Sequence, residues 1–102
     1  METFQRKITK SGTVFCVTIP REITRRLGIN KGDHVFVEIK LKDVLLFQGV
    51  KKVTLIGKML SIVLPKGRAF EKIWRMLYVN GSRLDITLIN VDEVMSNITS
   101  SS

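Results

Sequence analysis

The stretch Gly12-Thr-Val-Phe-Cys-Val-Thr-Ile-Pro20 is answered by Gly57-Lys-Met-Leu-Ser-Ile-Val-Leu-Pro65, with both glycines and both prolines 45 residues apart (57 − 12 and 65 − 20). The echo resumes at Gly32-Asp-His-Val-Phe-Val-Glu-Ile39 and Gly81-Ser-Arg-Leu-Asp-Ile-Thr-Leu88, now offset by 49 (81 − 32). The second copy therefore holds four extra residues between proline and glycine (49 − 45), about one helical turn. Each copy reads as strand, proline, short helix, glycine-containing turn and strand. Two such copies in one chain predict a body with a pseudo-two-fold axis.

Around this echo, residues 4–9 read as a first strand and Lys10-Ser11-Gly12 as its turn. Residues 14–19 are a mostly apolar, β-branched run bounded by Gly12 and Pro20, as expected of a strand covered on both faces. Pro20 supplies the fixed φ of a helix start. Over residues 21–27, Ile23 and Leu27 share one face and Arg21 and Arg25 another, while Glu22 is spaced to pair with Arg26. Gly28 then caps the helix, with Ile29 folding back onto it. Val35, Val37 and Ile39 alternate with Phe36, Glu38 and Lys40, the period of a strand, and Lys42-Asp43 turns into a fourth strand over residues 44–48. Phe36 and Phe47 alternate away from the inner face, where they are placed to cover a seam.

Gly49-Val50-Lys51 is the one candidate linker, and at about 10 Å fully extended it keeps the copies packed together or continuous. Residues 52–56 and 59–64 form the second hairpin. Pro65 is expected to open a helix about a turn longer than the first, with Phe70, Ile73, Trp74 and Leu77 as its buried stripe and Arg68, Lys72 and Arg75 on the opposite face. That spacing favours core packing over base stacking for Trp74 and Phe70. Asn80-Gly81 reads as a turn, Leu84, Ile86 and Leu88 alternate as a strand, and Asp92-Glu93 leads to a last strand over 94–98 with a disordered tail over 99–102.

At 102 residues the chain reads as one domain, able to bury about 60 to 65% of its unfolded surface without staples. The net charge of +8 divides evenly: residues 1–48 carry nine Lys/Arg against five Asp/Glu, and residues 49–102 eight against four. Such an even split points to a folded cationic surface on each copy rather than a basic tail, and so to a phosphate-rich partner. The lone Cys16 has no partner in the chain, no run approaches the ~18 apolar residues of a membrane span, and Arg6, Lys7 and Lys10 interrupt any signal-peptide core. These features predict a soluble, cytoplasmic protein. His34 stands alone, so no metal site is expected, and no nucleophile and base, nor any phosphate-cradling glycine loop, lies at a catalytic spacing. Neither enzymatic activity nor a cofactor is expected.

The order hairpin, Ile19-Pro20, helix, Leu27-Gly28-Ile29 and Gly32-Asp33 resembles the AbrB/SpoVT family of swapped-hairpin DNA-binding domains over residues 4–48. The second copy, residues 52–98, keeps Gly57, Leu64-Pro65 and Gly81 but loses Leu-Gly-Ile and the aspartate, as a diverged repeat does. The resemblance implies a mainly β fold with two short helices, a swapped-hairpin AbrB-like β-barrel of two ββαββ-type repeats, as in two-repeat MraZ-like relatives. It leaves open whether the repeats pair as a pseudo-dimer within one chain or also between chains of a homodimer. One copy of about 45 residues has too little interior to stand alone, which is a physical reason for the pairing.

The resemblance further implies that basic hairpin and helix residues grip double-stranded DNA, in a DNA-associated transcription regulator or small chromatin-type binder. Carried onto this chain these are Arg6, Lys7 and Lys10 on the hairpin and Arg21, Arg25 and Arg26 on the helix, with Lys51, Lys52, Lys58, Lys66 and Arg68 offered by the second copy. Thr13 stands where family members often place an arginine. The lysines of the second copy act as point charges on phosphates more than as bidentate readers of bases. Two rivals differ in chemistry. A protein-interaction adaptor barrel of the double-psi kind requires an apolar groove, and an antitoxin-type regulator requires an acidic or apolar C-terminal arm, which residues 97–102 do not supply.

Overall fold

Val35, Val37 and Ile39 are completely buried, as are Leu84, Ile86 and Leu88, while the residues between them are at most partly covered. This two-residue period sets both runs on the inner face of a sheet, where Val37 lies opposite Leu88 and Ile39 opposite Ile86. The computed structural model describes residues 1–91, so the turn, strand and tail expected over 92–102 lie outside the described residues. The elements are β1 (Glu2–Lys7), β2 (Thr9–Ser11), β3 (Val14–Thr18), α1 (Arg21–Leu27), β4 (His34–Leu41), β5 (Val44–Ile56), β6 (Met59–Val63), α2 (Arg68–Asn80) and β7 (Arg83–Asn90). The fold is mainly β, with two helices and seven antiparallel strands among the described residues, ordered β1-β7-β4-β5-β6-β3-β2 in a curled, half-barrel sheet.

The strand pairings obey the offsets of the sequence echo. β1 pairs with β7 from Glu2 with Leu88 to Lys7 with Arg83. Advancing β1 by 45 and setting β7 back by 49 gives Phe47 with Ile39 through Lys52 with His34, which is the register of β5 on β4. β3 meets β6 about the pair Val17 and Ile62, with Cys16 opposite Val63 and Thr18 opposite Ser61. Two further backbone bonds, Ile19 N–H to Leu60 O at 2.8 Å and Leu64 N–H to Phe15 O at 2.9 Å, exchange places under the same shift of 45 (19 to 64, 60 to 15). The opening strand of the first repeat is thus laddered to the closing strand of the second.

Four expected boundaries are displaced, each for a local reason. The first strand breaks at the buried Ile8, so that β1 pairs with β7 and β2 with β3, and the hairpin turn falls on Gly12 and Thr13 rather than on Lys10 to Gly12. The expected linker Gly49-Val50-Lys51 is mid-strand: β5 runs unbroken for 13 residues, its first part on β4 and its last part on β6. Pro65 does not open the second helix. Gly67, at φ 133, is the N-cap, and α2 begins at Arg68. The turn expected at Asn80-Gly81 starts one residue later, since Asn80 ends α2 and Gly81 is that helix's left-handed cap: Ser82 N–H reaches Leu77 O and Gly81 N–H reaches Tyr78 O, as Ile29 N–H reaches Thr24 O and Gly28 N–H reaches Arg25 O after α1. Helix α2, with 13 residues against seven, gains more than the single turn expected because the connection after it shrinks to two residues, 81 and 82, from six, 28–33.

Trp74 and Leu77 are buried, Phe70 and Ile73 half-buried. The Trp74 indole N–H donates to the Pro65 carbonyl at 2.9 Å, and its ring stacks on Phe70 at 5.8 Å, so neither ring is offered to a base. The register of β5 on β4 slips between Ile39 and Lys40, which oppose Phe47 and Leu45. This bulge turns Phe47 inward, against the outward placement expected from alternation, and its ring meets Phe70 edge-on at 6.3 Å.

Phe47 also explains Gly49. A Cβ built there would lie 2.9 Å from Phe47 Cζ, in a ring that also meets Phe70 edge-on. Gly49→Ala is therefore expected to destabilise by about 1 to 3 kcal/mol through overpacking, whereas in a free linker the same change stabilises by about 0.4 to 1 kcal/mol. Thermal denaturation separates the two signs, and Phe47→Leu in the Gly49→Ala background should recover part of the loss.

Candidate nucleic-acid interface

Strand alternation sets Arg6 and Lys7 on different faces of β1. Arg6 lies opposite the buried Leu84 and so shares its inner face at the end of the sheet, while Lys7 is exposed. The repeat shift of 45 carries Arg6 to Lys51 and Lys7 to Lys52, and Lys51 lies opposite the buried Val35 in the same way. It also carries Arg21, the first residue of α1, to Lys66, and Thr13 to Lys58 in the β5–β6 turn. The cation missing after Gly12 is thus present after Gly57. Lys10 has no such counterpart, since its equivalent, Leu55, is an exposed apolar residue.

Arg21, Arg25 and Arg26 are all exposed on α1. Arg26 does not pair with Glu22 as its spacing suggested: its Nε meets Glu2 Oε1 at 2.8 Å and ties the helix to β1. In the other half the shift of 45 turns Glu2 into Phe47, and the contact between strand and helix there is the aromatic one with Phe70. Two more of the cations have local roles. Lys10 Nζ stands over the Phe15 ring at 5.7 Å, and Lys7 Nζ lies 4.0 Å from the Cβ position of Gly81, beside the C-terminal end of α2, where a cation is favoured by the helix dipole.

The carboxylates do little to neutralise this surface. Glu2 holds Arg26, Glu38 holds Lys40 at 3.2 Å, Asp33 accepts from the Asn30 backbone N–H, and Asp85 accepts from Gln5 Nε2 at 2.8 Å. Among the described residues, Arg26 and Lys40 are the cations in ion pairs, out of 17 Lys and Arg in the chain. The rest face solvent or shallow clefts. One cleft is lined by Arg68, Lys72 and Arg75 with Glu71, along the outer face of α2, and another by Lys31, Gly32, Lys52, Val53 and Thr54. A third, at the end of β1, is lined by Gln5, Arg6, Lys7, Thr9, Thr18 and Arg83.

Of the eleven cations expected at a phosphate surface, all are exposed except Arg6 and Lys51, which are partly covered. Arg6, Lys7 and the α1 arginines belong to one half, and Lys51, Lys52, Lys58, Lys66 and Arg68 to the other. Lys31, Lys72, Arg75 and Arg83 join them, although the sequence does not mark them as site residues. The i, i+4, i+7 spacing of Arg68, Lys72 and Arg75 is a sequence signal for the α2 face. Nothing in the spacing of Arg83 signals its place beside Arg6. Among the described residues no group of His, Cys, Asp and Glu is placed to hold a metal ion, and no helix is long and apolar enough to cross a membrane.

The sequence matches no protein-family model and no curated protein. The chemistry of the surface therefore stands on its own geometry.

Because the Glu2 to Arg26 pair is largely exposed on the arginine side, Glu2→Gln is expected to cost less than ~1 kcal/mol in stability while releasing one arginine and removing one negative charge. Later elution from a heparin column at an unchanged fold, checked by circular dichroism, is the expected outcome. Earlier elution would mean that the pair orders a surface the polyanion needs.

Proposed function

We propose that this protein binds double-stranded DNA as an intramolecular pseudo-dimer of AbrB/SpoVT-like swapped-hairpin repeats, acting with DNA in the cytoplasm as a transcription regulator or a small chromatin-type binder. The observation that carries the reading is the duplication of basic positions under the same shift that relates the strand pairings: Arg6 and Lys51, Lys7 and Lys52, Arg21 and Lys66. A pseudo-two-fold body that repeats its cations meets the repeating phosphates of a duplex with both halves. Its long dimension of 46 Å exceeds the ~34 Å of one helical turn. Binding of this kind is electrostatic, with lysines and arginines displacing condensed counterions, and it needs no catalytic group and no cofactor.

A protein-interaction adaptor is the second reading, favoured by the exposed apolar residues in the last turns of α2, where Met76 and Val79 are 56% and 75% exposed. The two readings differ in their response to salt, because apolar docking survives salt that screens phosphate contacts.

Arginine holds a phosphate or a guanine edge with a planar fork and lysine does not, so the first half, with Arg6, Arg21, Arg25 and Arg26, is expected to carry most of any sequence preference. Replacing Arg21 and Arg25 together by Ala should weaken duplex binding by about 2 to 4 kcal/mol. Replacing Lys52 and Lys58 should weaken all duplexes alike and reduce the salt slope by about 0.9 for each phosphate no longer neutralised. Gel-shift titrations with selected and random duplexes at several salt concentrations measure both. Parental binding by the Arg21/Arg25 variant would remove the α1 face from the interface and favour the adaptor.

A further inference from the structure

We propose that the cleft at the end of β1 is an oxyanion site that seats one phosphate group of a nucleic-acid backbone, clamped between Arg6 of the first repeat and Arg83 of the second. The source of the phosphate rests on the duplex-binding reading. The chemistry of the site does not. Gln5, Arg6, Lys7, Thr9, Thr18 and Arg83 line an open cleft of about 330 Å³ that admits a group the size of a phosphate. Lys7 and Arg83 are direct strand partners and share one face, while Arg6 comes from the other face, so the cleft lies at the rim where β1 ends and β7 begins and is lined by all three cations. The two carboxylates on these strands are already engaged, Asp85 by Gln5 Nε2 and Glu2 by Arg26 Nε.

The decisive group is Arg6. Its Nε is shut off from solvent and has no hydrogen-bond partner among the described residues. A buried N–H left unsatisfied is a standing cost, and a small rotation of the guanidinium toward an oxyanion would recover it as a charge-assisted bond. Thr9 is less available, because its hydroxyl is within reach of the Cys16 carbonyl at 3.2 Å and Sγ at 3.3 Å. Thr18, half-buried at the end of β3, is the hydroxyl left to donate. The repeat shifts turn Arg6, Lys7, Thr18 and Arg83 into Lys51, Lys52, Val63 and His34. The second half thus has neither the arginine pair nor the hydroxyl, and the site breaks the pseudo-symmetry: a duplex bound across both halves is clamped at one end.

The test uses the full chain, ¹⁵N-labelled and titrated with inorganic phosphate at constant ionic strength against chloride, following the Nε–Hε resonances of Arg6 and Arg83. Both are expected to shift saturably with phosphate and not with chloride. Arg83→Gln should weaken the phosphate isotherm at least tenfold and Thr18→Val several-fold, Arg83→Lys should fall between Arg83→Gln and the parent, and Lys42→Asn, a remote charge control, should have no effect. Arg83→Gln should also reduce the salt slope of duplex binding by about one phosphate's worth. Absence of a saturable shift at Arg6, or equal shifts with chloride, overturns the proposal. A saturable site with an unchanged duplex slope in Arg83→Gln overturns the backbone as the source and assigns the cleft to a free oxyanion. A saturable site in a chain that binds no duplex at all leaves the oxyanion site standing and removes the duplex-binding reading instead.

Discussion

Backbone hydrogen bonding between the repeats is the constraint on which the rest of the structure depends, because each repeat leaves ladders that only the other completes. β1 has β7 as its partner, β4 lies between β5 and β7, and β3 meets β6 about Val17 and Ile62. Withdrawing one repeat would strip these strands of donors and acceptors and expose Val17, Val37, Ile62, Ile86 and Leu88, all fully buried. An unpaired edge with an apolar face is an aggregation template rather than a folded unit. Among the described residues the edge strands of the sheet are β1 and β2, which are consecutive in the chain and joined through the buried Ile8, so the sheet curls back toward its own beginning.

The same exchange of strands organises the charge. A residue at the end of β1 and its counterpart in the middle of β5 occupy equivalent positions in equivalent ladders, so a cation placed once in the repeat is delivered twice. Divergence then acts locally. Glu2 to Arg26 in one half is answered by Phe47 to Phe70 in the other, an ion pair replaced by an aromatic contact at the same joint between strand and helix. The second helix lengthens to 13 residues and stacks Phe70 on Trp74, which gives that half more apolar cover and a longer basic face.

Much of this was legible in the sequence where the signal is local. The alternation of β4 and β7, the bounds of α1 and the Gly28 cap follow from period and capping chemistry. Other features depend on tertiary neighbours. Gly49 looks like a linker until the Phe47 ring is seen to occupy the space over it. Pro65 looks like a helix start until Gly67 adopts a φ that a helix cannot use. Phe47 faces inward because of a one-residue bulge, and alternation cannot register a bulge. In the candidate site, the hairpin and helix cations announce themselves by clustering. Arg83 does not, since it lies 77 positions from Arg6 (83 − 6) and reaches the cleft only through the pairing of β7 with β1.

The most direct measurement is the salt dependence of duplex binding by the unaltered chain, from ~50 to ~300 mM monovalent salt. If both halves meet the backbone, with about three phosphates each, log K should fall linearly against log salt with a slope of about −5, and a duplex shorter than half a turn should recover only about half of that slope. A slope near zero, or the same slope on short and long duplexes, would contradict a two-fold cationic grip.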